Sequence, residues 1–113
     1  MSDKELLEDA AKAAGLPVEF SDGDVGGYWP CGRDEFGDVD QWWNPLTDDG
    51  DALRLAVKLG LDVRVFATRM EPYTGVSGQG AYVEEGHWDD HYAATRRAIV
   101  RAAASIRRAG KES

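Results

Sequence analysis

The chain has 113 residues, one cysteine and a formal charge of −8, which fits a single domain able to bury a modest core without disulfides or metals. The lone Cys31 can make no internal bridge, and neither an apolar leader nor a run of about 20 apolar residues occurs, so the expectation is a soluble protein of a reducing cytosol. Charge is uneven: residues 1–51 hold 14 acids against 3 bases, and residues 90–113 hold 2 acids against 6 bases. Counterion release from nucleic acid requires Lys and Arg, so the acidic half suits a basic partner surface better than a phosphate backbone, with solubility as the plainer reading.

In chain order, the first element is a helix that starts at a cap on Ser2 or Asp3 and stops at Gly15 before Pro17. Leu6, Leu7, Ala10, Ala13 and Ala14 recur at helical spacing and give it one narrow apolar face. Val18-Glu19-Phe20 is long enough only for a short strand, and Ser21 to Gly27 is turn-rich. From Tyr28 to Trp43 aromatics alternate with acids: Tyr28, Trp29, Phe36, Trp42 and Trp43 lie among Asp34, Glu35, Asp38 and Asp40, with Gly32 and Gly37 between them. That pattern reads as a loop or an irregular hairpin rather than a long strand, and as a solvated acidic segment rather than a metal site. The alternate acids, central Gly and closing Glu of a calcium loop are absent from it.

Trp42-Trp43-Asn44-Pro45 then enters as extended chain, because Pro45 restricts Asn44. Neighbouring side chains alternate in extended chain, so one Trp belongs to the core and the other to the surface. A central helix follows, capped by Thr47 or Asp48, with Asp51 at the capping-box position and Gly60 at its end. Leu61 to Met70 alternates in the manner of a half-buried strand. Thr74 to Gly80 reads as a glycine-rich turn able to move as a flap, and Ala81 to Trp88 as the returning arm of a hairpin with residues 61–70. Asp89 or Asp90 caps a long helix running to about Ala109, with Gly110 at its end and Tyr92, Thr95, Ile99, Ala102, Ile106 and Ala109 as its buried stripe.

Catalytic and metal motifs fail on their geometry. His87 and His91 are four apart with Glu84 before them, but the helix cap at Asp89 or Asp90 falls between the two histidines, so they share no helical face for a zinc ion. Gly75-Val76-Ser77-Gly78-Gln79 lacks the Gly that a nucleophile elbow needs two residues after its Ser, and no Lys follows for a phosphate-binding loop. Cys31 has no histidine partner fixed by sequence. Arg96, Arg97, Arg101 and Arg108 form no tight stripe with aromatics, and ion pairs to the acidic half explain them equally well.

Trp43 to Leu53, the strand Leu61 to Val65 and the Ala- and Arg-rich stretch Ala93 to Ala103 together resemble the phage ABA sandwich domain family, over roughly residues 42–108. The resemblance implies a small phage or prophage protein with helices packed on an antiparallel sheet; it brings no catalytic residues. The fold expected is α+β, one domain over residues 1–113, with three helices and a small antiparallel sheet. The function expected is non-enzymatic: inhibition of a host antiviral nucleic-acid-handling system through a basic surface of its protein or ribonucleoprotein effector. Trp29, Asp34, Glu35, Asp38, Asp40 and Trp42 are the expected contact residues, with no cofactor and no metal. The alternatives are a pocket for a nucleotide-like signal, built on residues 75–80 and the arginines, and an oligomeric phage accessory protein.

Overall fold

A computed structural model describes residues 2–16, 18, 20, 27–28, 42–68, 70–87 and 90–112, with backbone alone at 27, 28, 42 and 110–112. Its elements in order are α1 (Asp3–Ala14), β1 (Gly27–Tyr28), β2 (Trp42–Trp43), α2 (Asp49–Leu59), β3 (Asp62–Phe66), β4 (Tyr73–Gly78), β5 (Ala81–Gly86) and α3 (His91–Glu112). The fold is α+β: three helices with an antiparallel sheet of order β3-β4-β5, and a separate two-stranded ribbon of β1 and β2.

The helix ends follow their caps. Ser2 accepts from the Glu5 amide at 3.2 Å, and Gly15 closes α1 in the left-handed region at φ 69°. Asp48, rather than Thr47, caps α2 by accepting from the Asp51 amide at 2.8 Å, and Gly60 ends it at φ 66°. Asp51 does not complete a capping box. Its buried carboxylate instead accepts from the Asn44 amide at 3.0 Å and from Arg54 at 2.9 Å, which locks the Asn-Pro lead-in onto the first turn. Asp90 caps α3, accepting from the amides of Tyr92 and Ala93 at 2.9 and 3.1 Å.

The sheet departs from the expected hairpin. Ala81–Gly86 pairs with β4, not with residues 61–70, and β4 occupies most of the stretch read as a flexible turn. The glycines hid that strand, because Gly is depleted in strands unless something must pass close by. At Gly75 a side chain would sit 3.2 Å from the Tyr82 hydroxyl, so its absence lets Tyr82 cross the strand. The true turn is Gln79-Gly80, both residues at positive φ (50° and 85°), as a two-residue hairpin with right-handed strand twist requires. Gln79 tolerates that backbone while its side-chain amide donates to the Leu59 carbonyl at 2.9 Å, one of the orphan acceptors at the end of α2. This tether holds the hairpin tip against the helix end.

Packing centres on α3, which lies against α1, α2, β4 and β5. Enclosure on several sides explains why its buried set (Ala94, Ala98, Ile99, Val100, Ala102, Ala103 and Ala104) is wider than the single stripe expected from periodicity. Tyr92 and Ala109, expected inside, are exposed, and the helix runs through Gly110 to Glu112 instead of stopping there. Small side chains let the neighbouring elements approach closely. Leu6, Leu7, Ala10, Ala11 and Ala14 of α1, Ala52, Leu55, Ala56 and Leu59 of α2, and Val76 and Val83 of the sheet complete the core. Trp43 is buried in the core and meets Phe20 edge-on at 6.3 Å.

Candidate functional site

Two features stand out where the sheet meets the start of α3: a chain of hydrogen-bonded polar side chains and, beside it, an apolar groove. The chain begins on β4. Thr74, fully buried on the helix-facing side of the sheet, lies 2.6 Å from His87 Nε2 and 2.8 Å from the Thr95 hydroxyl. His87 Nδ1 lies 2.6 Å from His91 Nδ1, and Thr95 donates to the His91 carbonyl at 2.8 Å.

That last bond fixes the direction of all the others. A hydroxyl has one hydrogen, and Thr95 spends it on a carbonyl that can only accept. Thr74 must then donate to Thr95, and so accepts from His87 Nε2–H. A neutral His87 therefore carries no hydrogen on Nδ1, and His91 supplies one from its own Nδ1. The chain runs from the His91 ring through His87, Thr74 and Thr95 back to the His91 carbonyl. With His91 donating from Nδ1, a proton added to His87 Nδ1 would set N–H against N–H. Burial, and after it the neighbouring His91, holds the His87 pKa below the ordinary histidine value.

The expectation that His87 belongs to the hairpin end and His91 to the first turn of α3 agrees with their positions. Helical spacing alone does not reveal the contact between them. His87 follows β5 and His91 opens α3, so two different elements bring the rings together, their centroids 4.6 Å apart. Among the described residues, no group of three or more His, Cys, Asp or Glu is placed to hold a metal ion. Thr74 cannot serve as a nucleophile in this arrangement, since its hydrogen is committed and no solvent reaches it.

The groove, about 580 Å³, lies between α2 and β3 with α3 as its floor. Ala52, Leu53 and Ala56 form one wall, Val63 and Val65 the other, and Tyr92, Thr95 and Ile99 the base. Leu53 is 62 % exposed, Val65 50 % and Tyr92 70 %. Such clustering on one side is the kind of apolar patch that marks an interaction surface.

Four of the five arginines of α3 are paired with acids of other elements. Arg96 meets Asp49 at 2.6 Å, Arg97 meets Asp3 at 3.3 Å, Arg108 meets Asp9 at 3.2 Å, and Arg101 meets Glu85. Arg96 also donates to the Leu46 carbonyl at 2.9 Å. These bonds sew α3 to α1, α2 and β5.

Of the contact residues expected from sequence, Trp29, Asp34, Glu35, Asp38 and Asp40 lie outside the described residues, as does Cys31. The backbone of Trp42 pairs with Tyr28 in the β1–β2 ribbon. The residues read as a nucleotide-cradling turn lie largely in β4, and no helix among the described residues is long and apolar enough to cross a membrane. Comparison with protein-family models, with curated proteins and with solved structures found no match to this chain.

Proposed function

We propose that this is a non-enzymatic binding protein of phage or prophage origin that inhibits a host antiviral nucleic-acid-handling complex in the bacterial cytosol. It would do so by presenting an acidic, aromatic surface to a basic groove of its target. The observation that carries this reading is where the charge is left over. Four of the five arginines of α3 are engaged by acids of α1, α2 and β5, while residues 19–40 hold seven acids against the single base Arg33. Paired arginines are poor candidates for phosphate contact, since each would have to exchange an existing partner for a new one. The surplus negative charge sits in one segment that also carries Trp29 and ends next to Trp42. Charge of that density speeds encounter with a basic surface, and aromatics at the centre of an interface supply affinity.

The test is capture of host effector complexes from lysate at low salt, followed by assay of their nuclease or binding activity. Replacing Asp34, Glu35, Asp38 and Asp40 together by Lys is expected to abolish capture and inhibition, and Trp42→Ala or Trp29→Ala to weaken them by about tenfold or more. Capture and inhibition that survive the fourfold reversal would sink the proposal.

A further inference from the structure

β3 is an outer strand of its sheet, and among the described residues only β4 pairs with it. We propose that this edge is the site of self-association, with β3 of a second copy continuing the sheet across a two-fold axis and covering the apolar groove beside it.

The sequence of the edge is complementary to itself in one register. A two-fold axis normal to the sheet keeps the helices of both copies on one side, and opposed residues in an antiparallel pair then share a face. Only registers centred on a residue meet that condition. Centred on Val63, the edge sets Asp62 opposite Arg64 of the other copy, twice, and Leu61 opposite Val65, twice. Centred on Asp62 or on Arg64, it sets like charges directly against each other, which destabilises a ladder. Asp62 and Arg64 already attract at 3.1 Å along the strand on the face away from the helices, and both side chains are more than half exposed, so each is available to a partner. On the helix side, Val65 and Leu53 are exposed and line the groove beside the edge. A second copy would remove them from water. An edge strand next to such a patch is a ready template for another strand.

The closing experiment is sedimentation equilibrium of the full chain from about 1 to about 500 μM, a range that spans weak homodimers. The wild-type chain is expected to dimerise. Asp62→Arg and Arg64→Asp, each alone, are expected to weaken the dimer by about tenfold or more through two like-charge oppositions. An equimolar mixture of the two variants is expected to restore association, because every opposed pair becomes Arg against Asp. The mixture leaves the pair within each strand broken, so its recovery cannot come from repair of a single chain. Both positions are exposed, and circular dichroism with urea melts checks that each variant folds. A wild-type chain monomeric throughout, a dimer indifferent to the single substitutions, or a mixture no tighter than its components would each overturn the proposal; the first two would hand the groove to another occupant.

Discussion

The two flanks of α3 use similar residues to opposite ends. Against α1, Leu6, Leu7, Ala10, Ala11 and Ala14 are all buried, and Arg97–Asp3 and Arg108–Asp9 close the rim. Towards α2 and β3, Ala52, Leu55, Ala56 and Leu59 are buried, but Leu53 and Val65 remain in water around an open groove. An apolar residue at helical spacing therefore marks a face that is covered on one flank and uncovered on the other. Coverage depends on what the rest of the chain brings alongside.

The contrast can be broken most severely on the closed flank. Leu7→Ala, at a fully buried position, is expected to lower the unfolding free energy by about 3 kcal/mol in urea titrations. Asp51→Ala should cost about 2 kcal/mol, since it leaves the Asn44 amide and Arg54 without their buried acceptor. Thr74→Val keeps the shape of the polar chain but removes its central hydroxyl, and should cost about 1–2 kcal/mol.

pH probes the same chain. The folded pKa of His87 lies below its unfolded value of about 6.5, so as pH falls below neutrality the unfolded state takes up a proton that the folded state resists. Stability is therefore expected to be full above the unfolded value and to decline as pH falls towards the folded one. His87→Gln should flatten that slope in thermal melts at pH 5, 6 and 7, and an unchanged slope would assign it to another group. The smallest effects are reserved for the open flank and the rims. Leu53→Ser should change monomer stability by less than about 0.5 kcal/mol, and the Arg97–Asp3 double-mutant cycle should give under about 1 kcal/mol of coupling.

The helices were largely legible in the sequence because caps and glycine stops are local. Ser2, Asp48, Gly15 and Gly60 act where their neighbours alone place them. β4 was illegible for the converse reason. Gly75, Ser77 and Gly78 carry turn preferences, and only pairing with both β3 and β5 makes them a strand. The breadth of burial on α3 escaped periodicity because a helix enclosed by four elements has no single inner stripe. Gly110 lies within α3 rather than at its stop, because glycine weakens a helix without ending it. The His87–His91 contact joins the end of β5 to the start of α3, and neither residue's local sequence announces it.

The bond from Gln79 to the Leu59 carbonyl carries a dynamic consequence. It joins the last turn of α2 to the tip of the β4–β5 hairpin, two places where hydrogen exchange ordinarily begins by independent fraying. With the tether in place, releasing the tip also uncovers a helix carbonyl, so the amides of the helix end and of the turn should exchange at matched rates. Gln79→Gly would relieve the backbone and cut the tether at once, leaving the two ends to open on separate clocks.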